Sequence, residues 1–165
     1  MKWAPIIFAA MLSLAGQEAT ADPIPAKLVG TWRLVSNTIE EIPSGIRTDL
    51  FGPNPIGYIM YGADGRMLIL QVQHERPTPA GAAVTGAEAE ALFRSLIAYG
   101  GTYTISGDVI THHVDISWNQ SWTGTEQVRH FKFEGNRVEL ATDPSPDPFH
   151  GKMSVRRLVW EKLAN

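Results

Sequence analysis

The chain has 165 residues, of which 44% are hydrophobic, and its 14 Lys and Arg against 17 Asp and Glu give a formal net charge of -3. This length fits one domain with a sizeable core, and the absence of cysteine excludes disulfides and thiolate chemistry. The basic residues are scattered rather than gathered in a stripe that would neutralise a phosphate backbone, which argues against nucleic acid as a partner.

The first 21 residues, MKWAPIIFAAMLSLAGQEATA, have the pattern of a secretory signal peptide. One Lys precedes an apolar run over residues 3–14, and Ala19-Thr20-Ala21 forms a small-x-small cleavage site. The apolar run is shorter than the roughly 20 residues that cross a bilayer. We therefore expect cleavage after Ala21, a mature domain of residues 22–165 with no membrane span, and a periplasmic or secreted location.

Short β-rich runs separated by Gly, Pro, Asn and Asp follow the leader. The predicted strands occupy residues 28–38, 56–61, 66–74, 101–106, 109–118, 126–133, 137–142 and 153–161. GADG (62–65) joins two of them as a hairpin turn, and DPSPDPFHGK (143–152) forms a long Pro-rich loop. About eight to ten strands joined mostly by hairpins predict an all-β fold, a closed antiparallel β-barrel, because closure removes exposed strand edges.

One helix interrupts the strands. Thr85 and Glu88 have the spacing of a capping box before AEALFRSLIAY, and Gly100 ends the helical pattern. The apolar residues of this segment share one face at helical spacing. They are Leu92, Phe93, Leu96 and Ile97. We expect the helix to cover the barrel or to close one of its mouths.

Several motifs together resemble the bacterial and fungal lipocalin-like domain family, whose members have calycin-type β-barrels. They are LVGTWRLVS with Gly30-x-Trp32, YGADGRM, AYGGTY, THHV, the Trp122-x-Gly-x-x-Gln-x-Arg129 pattern and RLVWE, and they span nearly the whole mature chain. The resemblance implies that Trp32 closes the barrel floor and that an Arg of the last strand, Arg156 or Arg157, stacks on it. Alternation along that strand favours Arg156.

The adjacent histidines of VITHHVDISW lie on opposite faces of one predicted strand, so the pair cannot chelate one metal ion. Ile110, Val114, Ile116 and Trp118 share the face of His112, which we take as the interior, although a polar lumen would reverse the assignment. His113 then faces outward. A metal set of His112, His74 and His130 is disfavoured because alternation turns His130 away from the face that carries the next strand's Phe residues. No metal site is predicted.

Arg129 shares its strand face with Gln127, Phe131 and Phe133, which predicts an arginine inside the barrel. Such an arginine requires acceptors, either from the protein or from an anionic ligand. The predicted ligand-binding residues are the convergent polar and soft apolar side chains of the barrel. They are His112, Gln127, Arg129, Tyr103, Tyr61, Trp118, Trp122 and Met67.

Two functions fit these residues. The first is an exported protein that binds a small, mostly hydrophobic ligand with a polar or acidic end inside the barrel, where His112 adds a titratable hydrogen bond. The alternative is an isomerase, cyclase or decarboxylase with His112 or His113 as acid or base and Arg129 stabilising an oxyanion. Neither function requires a cofactor, and the chain contains no P-loop, Gly-x-Ser-x-Gly or His-Glu-x-x-His motif.

A third class, a protein that acts through its exterior, would show an exposed apolar patch. The outward strand faces are predicted to be mostly polar, which disfavours this class. The oligomeric state is left open by the sequence.

Overall fold

The computed structural model describes residues 21–146 and 151–164. The predicted signal peptide up to residue 20 and the part of the Pro-rich loop at 147–150 lie outside the described residues. Within the described ranges no helix combines the length and the apolarity needed to cross a membrane.

Ten strands, one α-helix and one short 3-10 helix occur in the described residues. Their bounds are β1 Gly30–Glu41, β2 Arg47–Asp49, β3 Ile56–Tyr61, β4 Arg66–Val72, α1 Gly86–Arg94, β5 Leu96–Ser106, β6 Val109–Ser117, the 3-10 helix η1 Gln120–Trp122, β7 Glu126–Glu134, β8 Arg137–Ala141, β9 Ser145–Pro146 and β10 Met153–Lys162.

Eight of these strands close into an antiparallel barrel in the order β1-β3-β4-β5-β6-β7-β8-β10, because β10 pairs back onto β1. The two short strands extend it, β2 along β1 and β9 along β10. The predicted all-β, lipocalin-like closed barrel is thus confirmed. Buried side chains alternate with exposed ones along β3 and β4, which places one side of each strand in the core.

The barrel floor is filled by Trp32, which is fully buried and donates its Nε1 hydrogen to the carbonyl oxygen of Leu28 at 2.8 Å. The cation over its ring is Lys162, with Nζ 5.3 Å from the ring centre, so the prediction of Arg156 or Arg157 at this place was wrong. The β1–β10 register pairs Trp32 with Lys162, and Arg156 lies six residues earlier, about 20 Å along the strand.

The helix is shorter than predicted. Thr85 and Glu88 do form the capping box, but α1 ends at Arg94 and the chain enters β5 at Leu96. Ile97 and Tyr99 are therefore inward-facing wall residues rather than part of a helical face. In the segment LIAYGGTYTIS, apolar residues recur at every second position, as in a strand. Its first apolar residues also fit the helical spacing of the preceding turn, which is why the sequence predicted a longer helix.

A β-bulge changes the alternation near the end of β6. Gly100 pairs with Ile116 and Gly101 with Val114, which leaves Asp115 as an extra residue. The prediction that Ile116 faces inward was wrong, since the bulge turns it outward and its side chain is 67% exposed. Gly101 permits the close approach of the bulge, because a Cβ there would lie 2.9 Å from the backbone nitrogen of Asp115.

The outer surface of the β3–β6 wall is apolar, contrary to the expectation of mostly polar outward faces. Its large residues, which we call the apolar wall, are between 42% and 67% exposed. They are Ile56, Tyr58, Met60, Leu68, Leu70 and Ile116. The expectation failed because the outward residues of β3 and β4 are hydrophobic, as are the inward residues with which they alternate. Hydrophobicity alone therefore does not distinguish the two faces.

Candidate functional site

The candidate site lies at the mouth of the barrel, the end opposite the Trp32 floor. The tight turns of the β3–β4, β5–β6 and β7–β8 hairpins lie at the floor end, whereas the mouth carries the longer connections that contain α1 and η1. Phe93 of α1 packs on Trp118, with ring centres 6.0 Å apart, and Trp118 packs on Trp122 at 4.9 Å. These aromatic side chains form one rim of the mouth.

His112 lies inside the barrel, as strand alternation predicts, and it is 1% exposed. Its Nε2 lies 2.8 Å from the Tyr61 hydroxyl and its Nδ1 lies 3.0 Å from the Tyr99 hydroxyl. Burial, assisted by the positive charge of Arg129, lowers the pKa of His112 to about 3. The imidazole is therefore neutral at physiological pH, which corrects the expectation of a hydrogen bond that titrates in that range.

The two tyrosines on either side of this imidazole remain protonated, because burial raises the pKa of Tyr61 and of Tyr99. A neutral imidazole has one N–H donor and one bare nitrogen acceptor. One tyrosine hydroxyl therefore donates to the ring and the other accepts from it. In the tautomer protonated at Nδ1, the Tyr99 hydroxyl accepts from His112 and keeps its own proton for a partner on the cavity side.

His113 faces outward and takes no part in the interior network. Its Nε2 lies 2.9 Å from the Thr104 hydroxyl and its Nδ1 lies 3.1 Å from a carboxylate oxygen of Glu126. Of the two histidines proposed as acid or base, only His112 is near the interior polar groups.

Arg129 is 8% exposed and points into the upper part of the barrel. Its Nη1 donates to the carbonyl oxygen of Val128 at 2.6 Å, and its Nη2 donates to the side-chain oxygen of Gln127 at 3.2 Å. Within residues 21–146 and 151–164, no carboxylate forms an ion pair with Arg129. A buried guanidinium served by neutral acceptors retains most of its affinity for an anion.

Two cavities open at the mouth on either side of Trp122. The arginine cavity, of about 280 Å³, is bounded by Arg129, Arg156, Gln127, Trp122 and Ser154, and also by the carboxylates of Glu126 and Asp143, which contact His113 and His130. The aromatic cavity, of about 180 Å³, is bounded by Phe93, Leu96, Ile97, Trp118, Trp122 and Arg156 among others. Arg156 and Trp122 border both cavities, so the compartment that contains Arg129 adjoins the apolar one.

The barrel interior below the mouth is filled. A space of only about 10 Å³ adjoins His112, Tyr99 and Arg129, which is close to the room that one water molecule occupies. Tyr61, Tyr103 and Met67, predicted as ligand contacts, are buried and border none of these three spaces. Tyr103 instead donates its hydroxyl to the carbonyl oxygen of Gly62 at 2.8 Å, near the floor. The room for a ligand is therefore at the mouth.

The predicted residues Gln127, Arg129, Trp118, Trp122 and His112 do come together around these spaces. Sequence reasoning did not assign Arg156 to the mouth. Its alternation with Leu158 and Trp160 indicated an inward side chain, but only the β1–β10 register shows at which end it lies.

Sequence reasoning also missed a buried amide pair, in which Asn37 donates Nδ2 to Gln71 Oε1 at 2.8 Å. Both amide side chains are almost fully buried, and Gln71 borders the small space beside His112. An inward Gln on β4 was the available signal for this pair.

No metal site is assembled in the part of the chain that the structure describes, where no three His, Cys, Asp or Glu side chains group together. His130 instead contacts Asp143 at 2.9 Å on the outer surface. A wider hollow of about 480 Å³ lies at the floor, but it is lined by small apolar residues and Lys162 and lacks convergent polar groups.

Comparisons with known proteins give one family match and one solved structure to report. A family model described as a lipocalin-like domain matches residues 29–163. The crystal structure of a lipoprotein, YedD from Klebsiella pneumoniae subsp. pneumoniae, matches with 13% sequence identity, a TM-score of 0.41, and coverage of 90% of this chain and 82% of that one. No curated protein matches the chain significantly.

Proposed function

Because this chain belongs to the lipocalin-like domain family, we propose that it is an exported protein that binds a small organic acid with a flat apolar body at the mouth of its barrel. The observation that carries this proposal is Arg129, a buried guanidinium that lines an open cavity and whose acceptors are neutral. Lipocalin-like barrels of eight strands have room for one small ligand.

Arg129 within the arginine cavity favours an anion. Glu126 and Asp143, the carboxylates that also border the cavity, contact His113 and His130 rather than Arg129. A ligand carboxylate at Arg129 would accept charge-assisted hydrogen bonds from the guanidinium, whose present acceptors are neutral. Gln127 would orient the Arg129 guanidinium through the bond that it already makes.

The aromatic cavity supplies the room for the body of the ligand. Phe93, Trp118 and Trp122 present ring faces and edges there, and Ile97 closes the wall. Flat apolar groups stack well on such edge-to-face clusters. The volumes of about 280 and 180 Å³ fit a molecule of one or two rings rather than a long lipid.

The exported location is part of the proposal and rests on the pattern of residues 1–21. The intact mass of the protein recovered outside the cytoplasm tests it. Cleavage after Ala21 is expected, and a mass that retains the first 21 residues would contradict it.

Isothermal titration with naphthaleneacetate and with naphthaleneacetamide tests the site, because the two probes share a body and differ in charge. We expect the acid to bind about 10-fold to 100-fold more tightly than the amide, as one charge-assisted interaction allows. Arg129→Gln should remove this preference while the fold, followed by near-UV circular dichroism, is kept.

Arg137→Gln is the matched control, since Arg137 lies on β8 near the floor and its side chain is ion-paired with Glu161, away from the mouth. It should leave the preference for the acid intact. Equal binding of acid and amide by the wild-type protein would refute an anion site at the mouth.

A second function is favoured by one observation, the hydrogen-bonded row of Tyr61, His112 and Tyr99 whose Tyr99 end borders the small space near Arg129. In such a row the Tyr99 hydroxyl could hydrogen-bond to the carbonyl oxygen of a compound at the mouth and stabilise the enolate that forms when water removes the proton from the neighbouring carbon. Return of a proton from solvent to that carbon completes the exchange without a cofactor. Deuterium exchange at the carbon next to the carbonyl of naphthylacetone, followed by NMR, tests it. Exchange lost in Tyr99→Phe would establish catalysis, and exchange at the buffer rate in the wild-type protein would leave binding alone.

A further inference from the structure

The apolar wall is a separate feature from the mouth and points to an interaction surface. Its large residues lie in two adjacent rows across the sheet, because Met60 pairs with Leu68 and Tyr58 pairs with Leu70. Each is between 42% and 47% exposed, and contiguous exposed apolar patches of this kind are typical of interaction surfaces.

The rows continue over small residues onto the next strands. Leu68 pairs with Gly100, which pairs with Ile116, and Leu70 pairs with Ala98. The side chains of Leu68 and Ile116 close over Gly100, since a Cβ there would lie 3.0 Å from Leu68 Cδ1 and 3.7 Å from Ile116 Cγ2. The apolar wall is therefore continuous from β3 to β6, with the small side chain of Ala98 beside Leu70. No charged residue lies at these outward positions.

We infer that the apolar wall is the surface through which two copies of this chain associate face to face. A two-fold rotation places the apolar wall of one copy against the same surface of the other, so that Leu70 of each copy can pack over Ala98 of the other. Two apolar sheet faces can pack face to face in this way.

The charges at the edge of the wall fit a second copy better than a membrane. At this edge, Arg66 Nη1 lies 3.9 Å from Asp115 Oδ2, and the two side chains are 69% and 61% exposed. A two-fold contact brings the Arg66 of each copy toward the Asp115 of the other. An anionic lipid surface would be repelled by that carboxylate and by the net charge of -3.

The size of the surface is also that of a dimer contact. Six large side chains about half exposed reach the roughly 300–600 Å² of the largest apolar patch on an ordinary monomer. With the polar rim added, this approaches the roughly 800 Å² per partner of a standard interface.

Sedimentation velocity over a concentration series of the protein recovered after export tests the inference. The wild-type protein should form a dimer, and Leu68→Asp with Leu70→Asp should weaken dimerisation by at least about 100-fold, since a hydrophobic contact centre tolerates no unpaired charge. Met153→Asp is the matched control, because Met153 is an exposed apolar residue on β10, on the side of the barrel opposite β5. It should dimerise like the wild type.

Cross-linking gives an independent readout, because the chain has no cysteine of its own. A flexible bis-maleimide should join two Leu70→Cys chains efficiently and two Met153→Cys chains poorly. Three outcomes would overturn the inference: a wild-type protein that is monomeric at every concentration, a dimer indifferent to the Leu68 and Leu70 changes, or a monomer that sediments with neutral lipid vesicles. None of these measurements depends on whether the mouth binds an acid.

Discussion

At the scale of single residues, the interior combines a permanently charged arginine with a histidine that stays neutral. Arg129 contributes to the low pKa of His112, and the same charge opposes the increase that burial causes in the pKa of Tyr61 and of Tyr99. An anion bound at Arg129 would meet neutral hydrogen-bonding groups beneath it rather than a second cation. The proposed selectivity for acids therefore rests on Arg129 rather than on His112.

The neutral state of His112 predicts how stability depends on pH. The unfolded chain binds a proton at this residue near pH 6.5, whereas the folded chain binds it only near its pKa of about 3. The stability that depends on the neutral imidazole is fully present above pH 6.5. As the pH falls through this window, the free energy of unfolding decreases at up to about 1.4 kcal/mol per pH unit, because the unfolded chain binds the proton more readily. Urea denaturation at intervals from pH 7 to pH 5, above the range of ordinary carboxylates, should show this decrease.

His112→Gln should reduce the slope of the free energy of unfolding against pH by an amount that corresponds to the binding of close to one proton. Tyr61→Phe is the control, because it removes a hydrogen bond from the same network but keeps the buried imidazole, so its slope should match the wild type. A slope that is unchanged in His112→Gln would show that His112 is not the group responsible.

At the scale of elements, the bulge where β5 meets β6 turns Ile116 onto the apolar wall while Val114 stays in the core. Gly101 makes the bulge possible, because an added Cβ would clash with the backbone of His113 and lie 2.9 Å from the nitrogen of Asp115. Gly101→Ala should lower the free energy of unfolding by at least about 3 kcal/mol, since the backbone on both strands must move. Guanidinium denaturation measures this change.

Gly86→Ala is the matched control, because a Cβ at that position in α1 meets nothing within 4 Å. It should be neutral or slightly stabilising, as alanine favours a helix. If Gly101→Ala is as stable as Gly86→Ala, the close approach of the bulge is not a constraint on the fold.

These two elements also show how far the sequence predicts the structure. The barrel strands were predictable because alternation and turn residues are local signals. The end of α1 was not, because Leu96 and Ile97 fit both the helical and the strand period, and only pairing with β4 decides between them. The bulge at Asp115 depends likewise on the partner strand.

The residues of the candidate site likewise divide into those that the sequence alone predicts and those that only the strand pairing places. Arg129 and Gln127 were found from the alternation of β7, and they border the arginine cavity. The position of Arg156 at the mouth required the register of β10 on β1, a contact between the two ends of the chain. Non-local register is the information that a single sequence lacks.

At the scale of the whole molecule, the barrel is closed by the two ends of the described chain. β1 and β10 pair from Trp32 with Lys162 to Glu41 with Ser154. Lys162 adds a tie across the floor, since its Nζ donates to the carbonyl oxygen of Lys27 at 2.7 Å and lies over the Trp32 ring. The segment before β1 is thereby fixed to the last strand.

This tie should contribute measurably to the stability of the whole barrel. Lys162→Met keeps the apolar stem but removes the charge, and we expect it to lower the free energy of unfolding by about 1–2 kcal/mol through the lost hydrogen bond and cation–π contact. Lys132→Met is the control, because Lys132 is exposed on β7 and its ion pair with Glu134 lies on the surface, so its change should stay within about 0.5 kcal/mol. Guanidinium denaturation gives both values, and hydrogen exchange of the Trp32 indole N–H reports on the floor directly. Faster indole exchange in Lys162→Met alone would place the loss at the floor, whereas equal stability of the two variants would show that strand pairing closes the barrel without the lysine.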